Sequence, residues 1–321
     1  MASAGGRRGF DRARQKGHHG SAMGRPRVVV VKSSAVWTPA GTLDPAVLAR
    51  MFARGLADLT GERDSAQAAA AIFRPGERVG IKVNTIGGRA ISTRPEVARA
   101  LAAWIAGGGT AGRDILVWDR TSRELRDAGY AISTGRSDVR VFGTDAGGAG
   151  YENSLTDHLD VGSLFSRILT EFVDASVSLA ILKDHGLAGL TAGMKNYFGA
   201  IHNPNKYHDD GCDPFVAQVF DAPPVKSRHR LTVVDALTVQ FHRGPSYHAR
   251  WAAKFGGLIF SRDPVAADHA GWAVLERLRR DAGLPTLEAE GREPSYLRTA
   301  ERMGLGTSAA EVVETVVGAG P

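Results

Sequence analysis

The sequence predicts an α/β protein: a mostly parallel sheet with helices on both faces, in Rossmann-like layers. Three observations predict it. From residue 27 onward, short β-branched runs alternate with segments of helical period. The first of those runs is continuously apolar, as in a strand covered on both sides, rather than alternating. The resulting βαβα order is the one a parallel sheet needs for its crossovers.

The elements follow in order. Residues 28–31, all valine, form a buried strand. Asp44-Pro45 supplies a cap and a proline at the first helical position. Val47, Leu48, Met51, Phe52, Leu56 and Leu59 then recur at helical spacing up to Gly61. A strand over 78–83, a helix over 95–105 ended by three glycines, a strand over 115–118, a helical segment over 121–128 and strands over 139–142 and 177–182 continue the alternation. Residues 184–215 read as a long polar loop around a short helix. Strands over 231–234 and 258–260, a helix from 264 to about 278 and a last forty residues of helix and loop complete the chain. Domain organisation is read as a disordered basic tail over 1–26 and one α/β domain over 27–321. A sub-boundary is possible near 150, after the glycine-rich stretch 143–150, and one continuous sheet is the equal alternative.

Composition excludes several classes. With 43% apolar and 23% charged residues, the chain has the make-up of an ordinary globular protein. The longest apolar stretch, 172–182, is broken by Asp174 and two serines and falls short of the ~18 residues of a membrane span. The single Cys212 excludes an internal disulfide, and this chain alone cannot ligate an iron–sulfur cluster or a four-cysteine zinc. The formal charge of +6 lies in the tail: residues 1–27 hold seven of the 40 basic and one of the 34 acidic residues, which leaves 33 of each in the body. A neutral body argues against a nucleic-acid partner. Arg7-Arg8-Gly9-Phe10 resembles a twin-arginine signal but no apolar region follows. The expectation is therefore a cytoplasmic protein, with Met23 a candidate start.

Ligands of open parallel sheets bind beyond the strands' carboxyl ends, and three such ends carry polar residues. Lys82 and Asn84 close one strand, and Thr93-Arg94-Pro95 opens the next helix. Together they suit a carboxylate or phosphate; the alternative is that Thr93 caps the helix while Lys82 is solvated. Asp119-Arg120 ends another strand and on its own reads as a surface pair. The third end runs Lys183-Asp184-His185 into spaced glycines and then Lys195-Asn196: a proton carrier, an oxyanion partner or nucleophile, and glycines that free backbone N–H groups for a ligand. His202, His208, Asp209, Asp210 and Asp213 follow. Their types suit a divalent metal, with Asp213 alternatively capping the next helix. His242 and His248 flank Gly244-Pro245 in a further loop. The stretch 143–150 lacks the lysine and spacing of a phosphate loop.

These residues, with Ile81, Val83, Thr191, Gly199, Asp235 and Asp263-Pro264, resemble the bacterial DUF362 family over about residues 28–275. Relatives in that family often add ferredoxin-type cysteines or an export signal. Neither is read here, so a built-in cluster is not carried over. A more distant resemblance is to the lactate racemases that use a nickel pincer nucleotide. His185 and Lys195 stand ten apart with Ala188-Gly189, Thr191 and Gly193 between them, and Thr93-Arg94-Pro95 also matches. That resemblance implies an acid/base role for His185 and a cofactor-anchoring role for Lys195. The racemases' second catalytic histidine has no counterpart near Asp119-Arg120-Thr121, and their nickel ligand has none beyond His208 in the neighbourhood.

The reading is an enzyme acting on a small carboxylate- or phosphate-bearing substrate by proton or hydride shift, of racemase, epimerase or oxidoreductase type. His185, Lys195 and Asp184 are its candidate catalytic residues, with Asp184 orienting His185. Lys82, Asn84, Arg94 and Asn196 are candidate oxyanion-binding residues. His208 and Asp209 are candidate ligands of nickel, iron or zinc. The alternative is a non-catalytic metal- or cofactor-binding carrier. Partners are expected to be small molecules, without membrane contact.

Overall fold

A computed structural model describes residues 25–318. The predicted tail, except Arg25 and Pro26, and the candidate start Met23 lie outside the described residues. The strands are β1 (Arg27–Lys32), β2 (Val79–Lys82), β3 (Ile115–Asp119), β4 (Arg140–Gly143), β5 (Thr156–His158), β6 (Val161–Ser163), β7 (Ala175–His185), β8 (Gly189–Thr191), β9 (His229–Gln240), β10 (Ala252–Ser261) and β11 (Glu311–Val316). The α-helices are α1 (Pro45–Thr60), α2 (Ser65–Ala70), α3 (Pro95–Gly107), α4 (Ser122–Asp127), α5 (Phe215–Asp221), α6 (Pro223–Lys226), α7 (Pro264–Asp281) and α8 (Tyr296–Arg302).

Nine strands form one sheet in the order β11-β1-β10-β9-β7-β2-β3-β4, with β8 paired to the end of β7; β5 and β6 make a separate small ribbon. The pairs β9-β7, β7-β2, β2-β3, β3-β4 and β1-β11 are parallel, as predicted. The pairs β9-β10, β10-β1 and β7-β8 are antiparallel. The alternation of helix and strand could not announce the β9–β10 hairpin, because only a single 3₁₀ turn, Ala249–Trp251, separates those strands. Strands from both sides of residue 150 share this sheet.

Side chains alternate across the pleat. Val29, Val31, Val79, Ile81, Val177 and Leu179 face α1, α2 and α3. On the other side Val28, Val30, Leu182, Val234 and Ile259 join one cluster with α7, while Leu116 and Trp118 join another with α5 and α8. The caps behave as their chemistry dictates. The Asp44 carboxylate accepts N–H bonds from Ala46 and Val47 at 2.8 and 3.0 Å, and Gly61 ends α1 at φ +80°.

Four local expectations are corrected. Asp184 and His185 belong to β7, and the following polar stretch is a hairpin plus three 3₁₀ turns, Lys195–Ala200, Pro204–Tyr207 and Asp210–Cys212, rather than a loop around one helix. The C-terminal forty residues include the strand β11. Asp213 makes no capping bond to α5, since it is not the residue that immediately precedes the helix. Thr93 does not cap α3 either: its hydroxyl donates to the Leu179 carbonyl and accepts from the Asn84 N–H.

Candidate functional site

The carboxyl ends of β2, β3 and β7 open on a cleft of about 690 Å³. Its floor is a locked network. Lys82 is 1% exposed, and its ammonium donates to Asp119 Oδ1 (2.5 Å), the Val83 carbonyl (2.8 Å) and Asn196 Oδ1 (3.2 Å). Asp119 Oδ2 accepts from the Thr85 N–H and hydroxyl at 2.7 and 2.6 Å. Asp119 is thus no surface residue: leaving a buried Lys82 ammonium unpaired would cost far more than burying its partner. Asn196 completes the floor by donating to the Lys82 carbonyl and Ser178 Oγ. Gly199 passes directly over the pair; a Cβ there would stand 2.7 Å from Lys82 Nζ and 3.0 Å from Asp119 Oδ1. With three acceptors already on its ammonium, Lys82 supports the cleft rather than offering a free cation.

Free cations come from elsewhere. Lys183, 1% exposed, donates only to the Ile91 carbonyl at 3.3 Å; burial pushes it down to about 8, with Asp119 pulling up and Lys195 adding repulsion. Lys195 Nζ lies 3.2 Å from His208 Nε2 and 4.2 Å from the Phe198 ring centre. Burial lowers it too to about 8, against the opposing pull of Cys212. The other ions lining the cleft pair off as Lys82 with Asp119 and Arg120 with Glu124. Lys183 and Lys195 are left without a carboxylate partner. Two buried positive charges without counter-ions call for an anion.

The two histidines are fixed in complementary tautomers. His185 Nδ1 accepts the N–H groups of Leu187 and Ala188 at 3.3 and 3.2 Å, so its proton sits on Nε2. Burial first, then Lys195 and His208, hold its pKa down at about 2, and it is neutral throughout the physiological range. His208 Nδ1–H donates to the Pro204 carbonyl at 2.9 Å, which leaves Nε2 to accept from the Lys195 ammonium. Burial and the nearby Lys195 lower the His208 pKa. The two rings stack at 5.7 Å.

The structure therefore brings together Lys82, Asn84, Asp119, His185, Lys195, Asn196 and His208. Asn84 presents a buried Oδ1 with no hydrogen-bond partner. Three expected residues stand elsewhere. Arg94 lies over the Trp37 ring, 5.1 Å from its centre, and does not line the cleft. Asp184 points through the opposite face of β7, accepting from Arg292 Nη1 at 2.9 Å and the Gly244 N–H at 2.7 Å; it does not orient His185. Asp209 is exposed and outside the cleft. Gly193 does not free its N–H for a ligand: the Gly193 and Met194 N–H groups are taken by Asp268 at 2.7 and 3.0 Å.

Sequence reasoning assigned no role to Lys183, yet the signal was present. In a strand, residues two apart share a face, so a cleft-facing His185 implies a cleft-facing Lys183 and an averted Asp184. In the 241–251 loop, Pro245, Ser246 and Tyr247 line the cleft while His242 and His248 do not.

Among the described residues no three His, Cys, Asp or Glu side chains converge as a metal site. Both nitrogens of His208 are engaged and Asp209 faces away. As a donor set, His208 and Asp209 do not fit nickel, iron or zinc.

Fold and cleft define an α/β protein with a lysine-bearing cleft at the carboxyl ends of a mostly parallel sheet. The chain belongs to the family described as "domain of unknown function (DUF362)", which matches residues 79–273. A protein named thylakoid-associated protein sll1697, from Synechocystis sp., is 27% identical over 255 residues, 74% of this chain and 72% of its own. A crystal structure of a Thermotoga maritima protein is similar over 70% of this chain and 60% of its own, with a TM-score of 0.40 and 12% identity, too little to carry an argument. No helix among the described residues is long and apolar enough to cross a membrane.

Proposed function

We propose that the cleft binds a small carboxylate- or phosphate-bearing substrate and moves a proton at the carbon beside that anion, as a racemase or epimerase does. One observation carries the reading: Lys183 and Lys195 are buried in the cleft with no carboxylate to balance them. Lys183 meets the substrate's anionic oxygens. Lys195, with a pKa of about 8, is partly amine at neutral pH and takes the proton leaving carbon. His208 Nε2, hydrogen-bonded to Nζ, directs that amine. Charge developing on the substrate oxygen is met by the His185 Nε2–H, a donor from a neutral imidazole, and by the Lys183 ammonium. The same Lys195 then returns the proton to carbon: to the original face it gives exchange with retention, and to the other face, once the planar intermediate has turned over above Nζ, it gives inversion. Ile86, Leu187 and Tyr247, exposed by 62%, 56% and 45%, stand around the mouth and suit a substrate with an apolar side chain.

The test is exchange of the C2 hydrogen in D₂O over a panel of 2-hydroxy and 2-amino acids with apolar side chains, read by NMR. At least one acid exchanges, and Lys195→Met slows it by about 10²–10⁴-fold. Acids that protect the protein against heat while none exchanges would leave binding without turnover, and the catalytic half of the proposal would fall.

A further inference from the structure

A second cavity, about 410 Å³, lies at the opposite ends of β2 and β3 and beside the start of β4. Arg78 immediately precedes β2, Arg113 and Asp114 immediately precede β3, and Arg140 is the first residue of β4. Arg136 and Arg167 add two more guanidinium groups, with Glu171 the other carboxylate in the lining. Three of the five arginines are spoken for. Arg78 is paired with Asp174 at 2.8 Å, Arg167 with Glu171 at 2.6 Å, and Arg113 stands 3.9 Å from Asp114.

Arg140 and Arg136 have no carboxylate partner among the described residues. Arg140 is the telling one. It is only 6% exposed, and its buried Nε has no hydrogen-bond partner; its other recorded contact is with the Phe142 ring, 5.7 Å from the centre. Its Nε is cut off from water with no acceptor in exchange, a cost that folded proteins avoid unless a ligand repays it. Burial lowers the Arg140 pKa, with Arg136 and Arg78 adding repulsion that only Asp114 opposes. Gly148, at φ +85° with open space where a side chain would be, lets the wall stay low beside it.

We infer that this cavity is a binding site for a small polyphosphate-bearing anion, held by the forked donors of Arg140 and Arg136. Planar guanidinium groups match adjacent phosphate oxygens in a way that lysines do not. The site is separate from the cleft: residues 78 and 82 mark the two ends of β2, four steps of roughly 3.3 Å apart. It needs no part of the proposed proton chemistry.

Calorimetric titration of the full chain with inorganic tripolyphosphate tests it. One equivalent binds at this cavity beyond any the cleft takes up: it persists within twofold in Lys183→Met, which alters the cleft, and Arg140→Gln and Arg136→Gln each weaken it about tenfold or more. Arg136 is exposed, so that variant decides the matter even if Arg140→Gln fails to fold. Vesicles bearing phosphorylated inositol headgroups form a second arm. Binding to vesicles without binding to tripolyphosphate overturns the free-anion assignment. Absence of tripolyphosphate binding in the wild type, or its loss in Lys183→Met with retention in both arginine variants, overturns the site.

Discussion

Lys183 and Lys195 make the cleft's affinity and the protein's stability respond to pH in opposite senses. Both have folded pKa values near 8, well below the ordinary 10.5 of lysine. Between about 8 and 10.5 the unfolded chain binds more protons at these two positions than the folded one does. Stability of the empty protein therefore rises with pH across that window. Anion binding uses the Lys183 ammonium, which is present below about pH 8 and lost above it. Urea unfolding and anion titration at pH 7, 8 and 9 check both halves: the midpoint contributed by these lysines moves up while affinity for a carboxylate falls. Affinity unchanged from pH 7 to pH 9 would remove Lys183 from anion binding. Asp119 and Lys82 belong to a different category. Their mutual pairing, and the lack of any room above them at Gly199, make them the part of the cleft that holds its shape.

At the scale of elements, the β7–β8 hairpin sets the orientation of the proton-handling groups. Period two along β7 sends Lys183 and His185 to the cleft and Asp184 to Arg292. The hairpin then closes so tightly that Gly189, at φ +69°, would place a Cβ 1.9 Å from the Arg292 carbonyl oxygen, and Gly244 would place one 1.8 Å from the Asp184 carbonyl oxygen. Gly189→Ala therefore has to push backbone aside. Because His185 Nδ1 depends on the N–H groups of Leu187 and Ala188 inside this turn, the substitution disturbs the tautomer without touching a ligand. Nitrogen-15 NMR of the imidazoles checks this: the wild type shows a protonated Nε2 and an accepting Nδ1 at His185, and Gly189→Ala shows a mixed signal. The same element explains what the sequence could and could not convey. The clustering of Lys183, His185, Lys195 and Asn196 was legible, because charged residues right after a buried apolar run mark a strand's end at a pocket. The true end of β7 was not legible, since Asp184 and His185 are strand only through pairing with β8. Arg94 was misplaced for a related reason: its neighbour Thr93 spends its side chain on β7, and the guanidinium turns to Trp37, a contact across 57 residues that no local pattern encodes.

For the whole molecule, the sheet order separates what binds from what completes the fold. The cleft sits on β2, β3 and β7, whereas the C-terminal strand β11 is at the far edge, beyond β1, β10 and β9. With strands about 4.8 Å apart, β11 lies roughly 19 Å from β7. It pairs along all six residues of β1, from Arg27↔Glu311 to Lys32↔Val316, yet most of its side chains are exposed, Val316 by 78%. That exposure is why its apolar pattern did not read as a strand: its value is in backbone hydrogen bonds rather than burial. Removing residues 309–321 strips the partner from one edge of β1, whose four valines form a continuous apolar run, and leaves a template for pairing with a second chain. The truncated protein is expected to melt lower and to aggregate on heating, as light scattering would register. Anions that occupy the cleft should still bind within twofold of the full chain, because no cleft residue touches β11. A truncation that abolished binding while remaining folded and monomeric would mean that the far edge of the sheet is coupled to the cleft, and the separation argued from strand order would be wrong.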